Sequence, residues 1–145
     1  MSRRGGFTLI ELMFVVVILG ILTAIALPAF YKMRERAREA SLKSNAHIVQ
    51  LAAEDFATQN AGIYAVDDTS ALPNGDTILD LVPTLMPSGI YNPFDRTDAT
   101  PIIWDGPADA EGRVGYDGSL EPGVRYQIDC QGAEGVVILT LSNGH

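Results

Sequence analysis

Gly5-Gly6-Phe7-Thr8-Leu9-Ile10-Glu11 runs directly into residues 12–30, LMFVVVILGILTAIALPAF, an uncharged apolar stretch of nineteen residues. This passage decides the fold. Nineteen helical residues at about 1.5 Å each rise roughly 28 Å, close to the ~30 Å hydrocarbon core of a bilayer. One carboxylate, Glu11, stands at the entrance. An acid deep in hydrocarbon costs about 2.5–3.5 kcal/mol on insertion scales, so a segment meant only to be apolar gains nothing from it.

Three readings of the segment compete. Arg3 and Arg4 form a basic n-region, Leu12 to Leu22 an apolar core and Ala24-Ile25-Ala26 a small-residue cleavage site, which together describe a secretory signal releasing a chain from Leu27. A plain uncleaved anchor is the second reading. Glu11 speaks against the first, since a removable apolar core has no use for an acid. Positive charge does not orient the span, because Arg3 and Arg4 on one side compete with Lys32, Arg34, Arg36 and Arg38 on the other.

The third reading comes from the motif. Gly5-Gly6-Phe7-Thr8-Leu9-Ile10-Glu11, followed by a long apolar helix with Gly20 and Pro28, resembles the class III signal of type IV pilins and of type II secretion pseudopilins. The resemblance covers about the first thirty residues. It implies a leader over residues 1–6, cleavage after Gly6 by a prepilin peptidase, and N-methylation of the new first residue, Phe7. It also implies an assembly helix over residues 7–30 that is stored in the inner membrane and then polymerised.

The chemistry of Glu11 fits that scheme. Cleavage would expose an amine at Phe7, and an α-amine ordinarily titrates at about 7.7–8.0, so it is mostly charged at neutral pH. Phe7 and Glu11 are four apart and share a helix face. The amine can neutralise the acid within one chain, or, where subunits stack, that of a neighbour; the resemblance implies the second use. The bland alternative is an interfacial acid without a role. Gly20 and Pro28 interrupt the helix where Leu or Ala would serve a plain anchor better, although both are tolerated in membrane helices. The resemblance implies that this stretch can lose helical bonding in a filament.

Beyond the span, residues 31–60 turn amphipathic. Leu42, Ala46, Val49, Ala53 and Phe56 recur at helical spacing, while Lys32, Arg34, Glu35, Arg36, Arg38 and Glu39 form a charged collar. Gly62 is the expected stop. His47 reads as a surface or half-buried polar residue. Residues 61–100 are rich in Pro, Gly, Asp and Asn and read as a structured loop with one short helical turn at Ile78 to Val82. In the last third, Val124, Tyr126, Ile128 and Cys130 alternate with Arg125, Gln127 and Asp129; after a turn at residues 131–135 comes Val136 to Leu141. Further candidate strands lie at residues 100–104 and 113–116.

The expected fold is therefore α+β and pilin-like: a long N-terminal helix, membrane-spanning and then amphipathic, packed on a small C-terminal antiparallel sheet. Residues 31–145 form the soluble head.

Charge is segregated along the chain. It holds 10 Lys/Arg and 18 Asp/Glu, net −8. Through Ser44 seven basic residues face three acids, net +4, and from Asn45 onward three face fifteen, net −12. Such a head is unsuited to neutralising phosphates, so no nucleic acid partner is expected. Cys130 is the single cysteine, which removes an intrachain disulfide, and no spaced Cys/His set supports zinc or haem. It falls on the apolar side of its strand and reads as a small core residue. Asp105, Asp109, Glu111 and Asp117 lie in a Gly-rich stretch, and some secretion pseudopilins hold calcium in a C-terminal loop. The spacing fits no EF-hand, and acidic loops are ordinarily just solvated, so no cofactor is expected beyond that calcium alternative.

No nucleophile elbow, zincin motif or P-loop is present, and no enzyme is expected. The expected function is a structural subunit of a type IV pilus-like filament. The alternatives are a pseudopilin driving protein export by type II secretion and, more remotely, a secreted or anchored binding module. Expected partners are the chain itself, the prepilin peptidase, the inner-membrane assembly machinery and, before assembly, lipid. The expected location is the bacterial inner membrane, as a single-pass precursor with its head outside the cytoplasm, and then a periplasmic or surface filament.

Overall fold

The computed structural model describes residues 6–85 and 89–144. Met1 to Gly5, with the Arg3-Arg4 pair and most of the leader, lie outside the described residues, as do Pro87 and His145. The chain divides into two units, Met1–Arg36 and Ala37–His145.

Helix α1 (Leu9–Gln59) runs through both Gly20 and Pro28. Its stop is the expected one. Ala61 and Gly62 both adopt positive φ (55° and 86°), and the Gly62 N–H returns to the Ala57 carbonyl at 2.7 Å, closing the last turn with a left-handed cap. Within the second unit the helix buries Leu42, Ala46, Val49, Ala52, Ala53, Phe56 and Ala57. Four alanines on that stripe let a sheet approach the helix backbone closely. Asn45 is buried there too, and its amide donates to the Tyr91 carbonyl at 2.9 Å, pinning the long loop to the helix.

That loop carries α2 (Ile78–Leu85), where the short turn was expected. Thr77 and Asp80 open it with a capping box, the Thr77 N–H and hydroxyl both donating to Asp80 Oδ2 (2.8 and 2.9 Å). The sheet follows: β1 (Ile102–Ile103), β2 (Val114–Glu121), β3 (Arg125–Gln131) and β4 (Val137–Ser142), in spatial order β1-β2-β3-β4. Tyr116, Tyr126, Ile128 and Cys130 complete the core against α1. Burial pushes the Cys130 thiol up to about 11, which keeps it an unreactive core residue.

Three expectations need correction. The sheet is mixed, not antiparallel: β1 runs parallel to β2, Ile102 against Val114 and Ile103 against Gly115. The reason lies in the segment between them, which doubles back across the sheet. A Cβ at Gly115 would strike the backbone of Pro107 and Ala108, so this glycine is where the returning chain presses on β2. Asp129, read as a solvent-facing alternate, is buried because the same segment covers it; it accepts the Ala108 N–H at 3.1 Å. Val124, read with the core, is exposed in the β2–β3 turn beside Gly123 (φ 77°).

A polar clamp ties the loop together. Arg113 donates to both oxygens of Asp98 (2.8 and 3.1 Å) and to Asp109 (3.0 Å). Buried Asn92 joins Asp98 to the Glu111 carbonyl and accepts the N–H groups of Phe94 and Asp95. The Arg113 hydrogen bonds first, and then that from Asn92, hold the Asp98 carboxyl well below the usual carboxylate range. A depressed folded pKa means that this stabilisation is fully present above the unfolded pKa of about 3.9 and is lost as pH falls below it. Thermal melts are expected to drop steeply below about pH 4 in the wild type and much less in Asp98→Asn; parallel pH profiles would remove Asp98 as the cause.

Candidate assembly site

The N-terminal unit is built around the first turn of α1. Thr8 is its N-cap and Glu11 the third helical residue. The Thr8 N–H and hydroxyl donate to Glu11 Oε2 at 2.9 and 2.8 Å, and the Glu11 N–H returns to Thr8 Oγ1 at 3.3 Å. This is a complete capping box. Thr8-x-x-Glu11 is legible in the sequence as the standard cap signature, a second role for the acid alongside its charge. Both side-chain bonds fall on Oε2, which leaves Oε1 to receive a cation.

Phe7, expected as the new first residue, is exposed immediately before the cap, and Gly6 precedes it, also exposed. Gly6 and Phe7 thus lie on exposed, non-helical backbone directly before the helix, and Glu11 lies within its first turn. Thr8→Ala is expected to fray the first turn by about 1 kcal/mol, raising amide exchange about fivefold at Glu11 and Leu12, whose N–H groups bond to Thr8. Thr8→Ser should restore protection, and unchanged exchange in Thr8→Ala would remove the cap.

From Leu9 to Met33 every large apolar side chain of the helix is exposed. The helix is long and apolar enough to cross a membrane, and none of its apolar window is buried against the rest of the chain. Thr23, the one hydroxyl within residues 12–30, is satisfied internally by donating to the Leu19 carbonyl at 2.7 Å. A Cβ at Gly20 would meet nothing within 4 Å. Packing in the single chain gives no reason for that glycine, and Pro28 leaves one helical carbonyl without its N–H partner.

The four acids considered for calcium are not gathered into one site. Asp109 is engaged by Arg113, and Asp117 accepts the N–H and hydroxyl of Ser119. Asp105 and Glu111 are exposed. Among the described residues no group of three or more His, Cys, Asp or Glu could hold a metal ion. His47 is exposed and its ring lies 3.3 Å from Gln50 Oε1.

An exposed membrane-length helix opened by the Thr8–Glu11 capping box, and a unit in which helix packs on a mixed sheet, make the fold α+β and pilin-like. The comparisons agree. Residues 1–27 match the family model described as the prokaryotic N-terminal methylation motif. The chain is 42% identical over 73 residues to the type IV narrow pilus major component PilA5 of Thermus thermophilus, covering 50% of this chain and 63% of the relative. It is 48% identical over 54 residues to the type IV major pilin protein PilA of Myxococcus xanthus (37% and 24% of the two chains). With the type IV major pilin protein PilE of Neisseria gonorrhoeae it shares 47% identity over 72 residues (48% and 41%). The matches span less than two thirds of each relative. No solved structure matches significantly. The chain carries the prokaryotic N-terminal methylation motif over residues 1–27, and these three relatives are all type IV pilins.

Proposed function

We propose that this protein is the structural subunit of a type IV pilus-like filament. A prepilin peptidase cleaves it after Gly6 and methylates the amine of Phe7. It waits in the inner membrane with its head outside the cytoplasm, and the assembly machinery then polymerises it through α1. The observation that carries this reading is the fully exposed apolar surface from Leu9 to Met33 with Glu11 at its mouth. Such a surface needs lipid, and later other copies of itself. Gly20 and Pro28, unexplained in the single chain, belong to this second environment as the segment that loosens on assembly. Identical contacts that do not close on themselves give an open helical filament. The similarity to three type IV pilins favours a pilus over a secretion pseudopilus.

Intact and N-terminal peptide mass spectrometry on protein from its own host tests the reading. A chain beginning at Phe7 and heavier by one methyl group is expected, with Gly6→Ala accumulating as uncleaved precursor. A chain beginning at Leu27, or one still beginning at Met1, would overturn it.

A further inference from the structure

The ion pairs among the described residues join Arg113 to Asp98 and Asp109, and Arg125 to Glu121. None involves Lys32, Arg34 or Arg36, all exposed on α1. Arg38 is already engaged, its guanidinium lying 5.5 Å from the centre of the Phe94 ring. Glu35 and Glu39 share the collar, but among the described residues no ion pair joins either to Lys32, Arg34 or Arg36. Their spacing compounds the imbalance, since Lys32/Arg36 and Arg34/Arg38 are like charges four apart, which repel and weaken an isolated helix. No ion pair among the described residues offsets that repulsion.

The opposite surplus lies in the loop after α1. Between Lys43 and Arg96 the chain has seven acids and no Lys or Arg. Asp67 accepts from Thr69 and Ser70, Asp76 from Asn74 and Asp80 from Thr77, all neutral donors. A bridge between Ala71 and Thr77 closes this loop on itself, so these acids stand on one short, tied-down segment.

We propose that the basic collar of Lys32, Arg34 and Arg36 docks the acidic loop Asp67–Asp80 of a second copy of the chain. The inference rests on the filament reading above. A second copy is favoured because the same polypeptide carries both the three-cation collar and the four-acid loop, so every copy brings one of each. A head-to-tail stack then neutralises each subunit's surplus on the next. The collar also follows the span directly, so association of spans brings it to a neighbour.

The test uses the full chain in a host where the wild type yields filaments. Arg34→Glu with Arg36→Glu is expected to lower sheared filament about tenfold, a loss of about 1.4 kcal/mol, with processing and the membrane-held pool unchanged. Removing positive charge after the span does not oppose export. Adding Asp68→Lys and Asp76→Lys, neither of which caps a helix, should restore most of the yield. Unchanged filament in the collar variant, or no recovery in the combination, would overturn the pairing. A shrunken membrane pool would overturn it as well, and would assign the collar to anionic lipid headgroups. A wild type that is processed yet forms no filament would instead sink the filament reading itself.

Discussion

Glu11→Ala is expected to be cleaved after Gly6 normally and to yield roughly a hundredfold less filament than the wild type. The magnitude follows from what the acid loses and regains. In hydrocarbon it carries a penalty of about 2.5–3.5 kcal/mol, and pairing with a neighbour's Phe7 amine relieves it. An alanine has no penalty to relieve, so that share of the assembly drive disappears, at 1.4 kcal/mol per tenfold. The capping box sharpens the expectation. Thr8 donates to Oε2 and keeps the helix start ordered, so in the proposed assembly Oε1 takes the incoming amine and the carboxylate is oriented before its partner arrives. Glu11→Gln keeps the cap but not the charge and should resemble alanine in filament yield. Abundant filaments from either variant, counted by electron microscopy alongside mass analysis of processing, would refute the docking charge.

The second large effect is in the head. Tyr116→Ala is expected to destabilise it by about 3–5 kcal/mol, as for other large aromatic deletions in cores. For a domain of this size that is a fall in Tm of roughly 12 °C or more. Tyr116 is fully buried, its ring lies 5.7 Å from those of both Tyr126 and Trp104, and its hydroxyl donates to the Ala65 carbonyl at 2.6 Å. Its removal opens a cavity between helix and sheet and leaves that carbonyl unpaired. Tyr116→Phe separates the two effects, retaining the packing and costing about 1–3 kcal/mol for the orphaned carbonyl. A melt of Tyr116→Ala within a few degrees of wild type would show that the core closes without it.

The helical stripe from Leu42 to Phe56, the stop at Gly62 and the short helix at Ile78 were legible because each depends on local periodicity or turn chemistry. The alternation through Tyr126, Ile128 and Cys130 was equally plain. What escaped depends on the return of distant chain. The parallel β1 arises from a loop that recrosses the sheet, and no local pattern distinguishes that from a hairpin. Buried Asp129 and Asn92 look like ordinary polar loop and strand residues until Ala108 and Glu111 arrive beside them. Gly115 and Gly118 carry no local sign of their role, yet each is where another backbone lies against β2, at Ala108 and Ala65 respectively. At the assembly site the motif residues were visible throughout. The cap that Thr8 supplies was visible too, but is easily overlooked when Glu11 is considered only as a charge.

Trp104 is the only indole in the chain, and it lies half-buried on the head's core, packed on the Tyr116 ring. Its emission therefore belongs wholly to the folded head and is silent about the membrane segment. A detergent-held or filament-bound subunit carries its own fluorescent gauge, one that can follow unfolding of the head in place without a label.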